Sequence, residues 1–165
     1  MTTTTHPTDP ATLAAMFPDL AEAFPSAGSV LISRSAVLAG TAASAAAARR
    51  LLAEALSVAG SCPAAEDAGL VVSELATNAI QHTRSGESGE FRVTAAVSPG
   101  EWVLILVGDD GPDVPGAAPA IPAQRAVPAS AESGRGLLIV AALSDAYGYV
   151  GGLSWALLPW EGAAR

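Results

Sequence analysis

The chain contains no lysine; all eight of its basic residues are arginine. Any phosphate chemistry must therefore rest on arginine, backbone N–H groups, helix ends or a metal. The lysine-bearing phosphate loop G-x-x-x-x-G-K-[ST] is excluded. Basic charge is scarce altogether, because 16 acidic residues leave a net charge of −8. A duplex-binding protein needs a basic footprint that releases counterions, so nucleic acid is a poor partner. An anionic membrane surface is a poor one for the same reason. Cys62 is the only cysteine. That excludes an internal disulfide and a cysteine-based metal cluster, and it fits a reducing compartment. Long apolar runs are missing too. No stretch approaches the roughly 20 residues that span a bilayer. The amino terminus, MTTTTHPTDP, lacks the basic-then-apolar pattern of a secretory signal. The expected location is the cytoplasm.

What remains is a chain of 165 residues, half of them apolar, with few aromatics. A domain of roughly 130 to 140 residues buries about two-thirds of its unfolded surface, enough for its own core. Residues 1–28, rich in Thr, Pro, Ala and Ser, read as an N-terminal tail, although a short helix around ATLAAM fits. Residues 29–160 read as the domain. SVLISR (29–34) is predicted as a first strand, and the alanine-rich span from Ser35 to Ala59 as a helix. Pro63 then suits the first turn of a second helix. In that helix Ala68, Val71, Val72, Leu75, Ala76, Ala79 and Ile80 recur at the spacings of one apolar face. FRVTAAV (91–97) and WVLILVG (102–108), joined by SPGE, form a predicted hairpin. Residues 109–134 carry five prolines and little periodicity, and a loop that long is usually functional or mobile. RGLLIVAAL (135–143) resumes a helix, and AYGYV, GG and LSWALLPW close the chain as a second hairpin. The order predicts an α+β fold: a two-layer sandwich with a mixed, mostly antiparallel sheet and helices on one face.

Three stretches carry residues suited to chemistry. In SELATNAIQHT, Glu74, Asn78 and His82 stand four apart, a single stripe on the helix. Such a stripe is commonly the wet side of a surface helix. It also has a chemical reading: a carboxylate can orient or deprotonate a nucleophile, and an amide oxygen one turn later can ligate a hard cation without adding charge. The spacing does not match the zinc-hydrolase motif H-E-x-x-H. The second stretch is DDGPD, directly after a buried strand. It is either an acidic turn or a place where Asp109 meets an exocyclic amine, with Gly111 letting a flat ring approach the backbone. The third is SGRGLL, Ser133 to Leu138. Glycines before a helix expose N–H groups at the positive end of its dipole, and Arg135 adds a charged fork. A plain loop-to-helix junction reads the same way.

The order of these stretches, with VVSELATNAIQH and ESGRGLLIV as its specific parts, resembles the GHKL ATP-binding fold of gyrases, the heat-shock chaperone, MutL-type repair proteins and histidine kinases. Within it the chain is most similar to the small single-domain anti-sigma-factor serine/threonine kinases of actinobacterial type, over roughly residues 30 to 160. The resemblance implies ATP and Mg²⁺ as cofactors. It makes Glu74 the general base and Asn78 the Mg²⁺ ligand. It assigns Asp109 to the adenine amino group, with Gly111 beside the ring, and residues 112–133 to the ATP lid. Gly134, Arg135, Gly136 and Leu137 fall in the phosphate-cradling motif. Asp113 stands where the family's second glycine belongs, and the family's late-strand threonine aligns with either Leu153 or Ser154. The implied function is a kinase that works by partner switching, with a sigma factor and an anti-sigma-factor antagonist as partners and a homodimer compatible with the pattern. The alternative is a catalytically degenerate module that grips a regulatory partner without phosphorylating it. Its motivation is Asp113, the unsettled threonine and the long lid.

Overall fold

The computed structural model describes residues 32–86, 89–109, 135–150 and 152–163. Gly111, Asp113, the lid at 112–133 and Gly134 lie outside the described residues, as does the N-terminal segment 1–31. The elements are β1 (Ile32–Ala39), α1 (Ser44–Ala59), α2 (Ala65–His82), β2 (Glu90–Ser98), β3 (Trp102–Gly108), α3 (Arg135–Leu143), β4 (Ala146–Val150) and β5 (Leu153–Pro159). A short 3₁₀ turn at Arg84–Gly86 joins α2 to β2. The strands form one sheet in the order β1-β2-β3-β5-β4. All four pairings are antiparallel, so the described sheet has none of the parallel pairing that a mixed sheet allows. The α+β two-layer arrangement is the one the sequence predicts.

Alternation sorts the strands. Phe91, Val93, Ala95 and Val97 of β2, Val103, Ile105 and Val107 of β3, and Ala156 and Leu158 of β5 share the main core with the three helices. The helices meet them through faces set by their own periodicity: Ala48, Leu52, Ala55 and Leu56 on α1, and Ala68, Val71, Val72, Leu75, Ala76 and Ala79 on α2. Six of the seven apolar positions predicted for α2 are buried, and Ile80 is half-buried. α1 lies over β1 and β2, α2 over β3 and β5, and α3 against α2 and β4. The alanines at the α1–α2 contact leave room for close helix approach.

One prediction fails locally. The span from Ser35 to Ala39, assigned to a helix by its alanine content, is the second half of β1 and pairs with β2 from Thr94 to Glu90. An edge strand aligned along a complete partner outweighs a helix preference of a few tenths of a kcal/mol per residue. The helix begins only at Ser44.

Candidate functional site

The direction of α2 places its stripe. Its start is tied to the end of β5, where the Ala64 N–H donates to the Trp160 carbonyl at 3.1 Å. Its end leads through the 3₁₀ turn into β2, whose first residues pair near the exit of β3: Arg92 stands opposite Gly108. The C-terminal half of α2 therefore lies at the same end of the sheet as Asp109. Acidic Glu66 and Asp67 in the first turn and His82 in the last both suit the helix dipole.

Along the stripe, Glu74 and Asn78 are half-buried and His82 is exposed. Glu74 owes its cover to α3. A methyl group on Gly136 would run into Glu74 Oε2, so the helix start and the carboxylate meet only because residue 136 has no side chain. Two of the three stretches singled out in the sequence are thereby in contact. Backbone N–H groups at a helix start, beside a carboxylate and one turn of α2 from an amide, make a polar corner on an otherwise dry interface. Ser73 next to Glu74 fixes the helix pair: its hydroxyl donates to the Gly69 carbonyl (2.7 Å) and receives Arg49 Nη1 of α1 (3.0 Å).

Asp109, the described residue of the remaining stretch, is held by the last hairpin. The Asp109 N–H donates to the Gly152 carbonyl at 2.8 Å, and the Tyr149 hydroxyl donates to Asp109 Oδ1 at 3.4 Å. Burial pushes the Tyr149 phenol above its ordinary value, the Asp109 charge and the hydrogen bond to it push the same way, and a backbone bond from Gly152 pulls against them. Asp109 follows Val103, Ile105 and Val107 in alternation, which sets it on the helix side of the sheet.

The register also settles where the late-strand polar residue stands. Ser154 pairs with Val107 and with Tyr149 and is 4% exposed. It alternates with Ala156 and Leu158 on the helix side, whereas Leu153 packs with the cluster on the opposite face. Tyr149 is the residue the sequence reading missed. The alternation in AYGYV carried the signal, since Tyr147 packs into the main core and Tyr149 shares its side.

Arg135 begins α3 and Leu137 is half-buried within it. Cys62 is half-buried with its thiol directed at the Trp160 carbonyl (3.9 Å); burial raises its pKa most, Glu161 adds to that and a backbone bond at Ala64 opposes it. A raised thiol is a poor nucleophile, which agrees with a structural cysteine. Among the described residues no group of three or more His, Cys, Asp or Glu could hold a metal alone. Mg²⁺ shared between one protein oxygen, waters and phosphates fits such a site better than a protein cage. Nor, among the described residues, is any helix long and apolar enough to cross a membrane.

A comparison with curated proteins gives no match. The model of the histidine kinase-like ATPase domain matches residues 38–155, well over half of the chain. The matched span runs from the end of β1 into β5 and contains Glu74, Asn78, Asp109, Gly136, Tyr149 and Ser154. The chain belongs to the histidine kinase-like ATPase domain family.

Proposed function

We propose that the protein is an ATP- and Mg²⁺-binding regulator, a serine/threonine protein kinase of the anti-sigma-factor type that acts by partner switching. The observation that carries this reading is the contact between Glu74 and Gly136, which sets a candidate base against the start of the helix that would receive phosphates. Asp109, held at the β3 exit by Gly152 and Tyr149, offers a carboxylate to the adenine amino group. Asn78, one turn from Glu74, presents the amide oxygen that would hold Mg²⁺, and the metal would neutralise phosphate charge during transfer.

In the reaction, a serine hydroxyl of the antagonist attacks the γ-phosphorus of ATP and the bond between the β–γ bridging oxygen and the γ-phosphorus breaks. The hydroxyl proton passes to Glu74, and ADP leaves. With no lysine in the chain, the phosphates depend on the α3 N–H groups and on Arg135 as the cationic residue of the motif. The test is transfer of labelled phosphate from ATP to a serine of the cognate antagonist. Loss of transfer in a folded Glu74→Ala protein supports the assignment, and undiminished transfer removes Glu74 as the base. Equal partner binding with and without nucleotide, and no phosphorylation, points instead to the non-catalytic module.

A further inference from the structure

The hydrogen bonds around Asp109 form a closed circuit with a fixed direction. The Asp109 N–H donates to the Gly152 carbonyl at 2.8 Å, and the Gly152 N–H donates in turn to the Tyr149 hydroxyl. That hydroxyl donates to Asp109 Oδ1 at 3.4 Å. Because the phenol oxygen already receives the Gly152 N–H, its own proton is directed at the carboxylate. Burial and then the Asp109 charge hold the phenol protonated, so it stays a donor. The circuit is tight at its glycine. Gly152 has a φ of +85°, and a Cβ there would stand 3.0 Å from the Asp109 carbonyl oxygen. Tyr149 reaches this place because β5 inserts between β3 and β4, which sets the row Val107–Ser154–Tyr149 across the helix side of the sheet.

On the nucleotide reading proposed above, on which this inference rests, the circuit bears on which purine fits. An ionised carboxylate only accepts hydrogen bonds, and it has two oxygens to offer. Adenine needs one of them, for an N–H of its 6-amino group. Guanine carries a carbonyl oxygen at that position, and two acceptors brought together repel. Guanine pairs with a carboxylate only when turned, so that N1–H and a 2-amino N–H meet the two oxygens side by side. A carboxylate standing alone therefore suits guanine at least as well as adenine. Asp109 does not stand alone, because Tyr149 donates to one of its oxygens.

We infer that Tyr149 is a positioning residue that makes the site select adenine over guanine, by engaging Asp109 Oδ1. Side-by-side pairing with guanine puts a second N–H in competition with the Tyr149 hydroxyl for that oxygen. The single N–H that adenine brings does not compete. Ser154, the neighbour of Tyr149 in the row, does not discriminate, since a hydroxyl donates or accepts by rotating. Selectivity of this kind works by making the wrong ligand lose a bond, not by adding one for the right ligand. A side chain whose only role was to brace the hairpin would affect both purines alike.

The test is calorimetric titration of the full chain and of its Tyr149→Phe variant with ATP, GTP and ITP, each with Mg²⁺. ITP is the control, because hypoxanthine keeps N1–H but has no 2-amino group. The parent is expected to bind ATP tightest, and GTP no tighter than ITP. In the variant, ATP affinity falls several-fold. GTP affinity rises by roughly tenfold or more, the worth of a regained hydrogen bond to a charged group. ITP gains much less, having one N–H to offer. An unchanged ratio of ATP to GTP affinity in the variant overturns the inference and leaves the nucleotide reading intact. So does a ratio that narrows only because ATP weakens, which would reduce Tyr149 to a prop for Asp109. Should the variant fail to melt cooperatively, the parent alone decides. GTP bound no tighter than ITP supports the inference, and GTP bound more tightly means that both oxygens already receive the base, which overturns it. A well-folded parent that binds none of the three removes the nucleotide reading, and the inference with it.

Discussion

The two walls of the candidate site are built by different means. One is helix against helix, where Glu74 on α2 meets α3 at a residue with no side chain. The other is a strand end, where Asp109 is held by a backbone bond and a phenol from the β4–β5 hairpin. The first wall is set by packing, and volume added at residue 136 must move the Glu74 carboxylate. The second rests on hydrogen bonds, those with Gly152 and Tyr149 among them, and can loosen by degrees. In the proposed mechanism the first wall carries the proton transfer and the second the recognition of the base, so variants of the two should fail in different assays.

The largest separation is expected for Glu74→Ala. Loss of a general base lowers phosphoryl transfer by about 10²- to 10⁴-fold, while ATP affinity in calorimetry stays near that of the parent. Asp109→Ala should do the reverse. Removing a charged hydrogen-bond acceptor costs about 1.5–3 kcal/mol, which weakens ATP binding by roughly one to two orders of magnitude. Gly136→Ala sharpens the contrast in a third way. The new methyl group must displace the Glu74 carboxylate, and such overpacking costs about 1–3 kcal/mol, read as a lower Tm without nucleotide. The reverse change at an exposed position of α3, Ala142→Gly, lowers Tm by no more than the helix-propensity difference of about 1 kcal/mol.

Tyr149→Phe is the smallest and most diagnostic change. One neutral donor is worth about 0.5–1.5 kcal/mol, so ATP affinity should fall several-fold with little loss of transfer at saturation. The pH dependence of stability has a definite sign. The folded protein holds the Tyr149 phenol above its ordinary value of 10.0, favouring the neutral form. Its contribution is therefore complete below that pH and is lost as pH rises through the raised value. The stability gap between the parent and Tyr149→Phe, followed by denaturant melts, should narrow with alkalinity. A gap that widens would place the cause elsewhere.

The unequal construction of the walls also explains what could be read from sequence. The stripe of α2 was legible because a helix of eighteen residues repeats its pattern often enough to fix which side faces the core. Asp109 was legible as the residue after a seven-residue apolar strand. Tyr149 was not, because its role depends on β5 inserting between β3 and β4, a pairing that joins residues forty apart. The same insertion decides between Leu153 and Ser154: alignment allowed either, and only cross-strand register puts Ser154 beside Val107. The error in β1 has a related origin. Alanine reports a helix preference locally, but Ser35–Ala39 gains more from β2, a partner more than fifty residues away. The outer-face cluster shows alternation at its most informative, since Leu104 and Leu106 read simply as a buried strand until the helices are seen to lie on one side only.

The most direct test of the account is a calorimetric titration of the full chain with ATP, with and without Mg²⁺, alongside Asp109→Ala. Saturable binding that strengthens with Mg²⁺ and weakens by at least about tenfold in the variant is the expected result. A well-folded parent protein that binds no ATP, or binds it equally without Asp109, would contradict the nucleotide site.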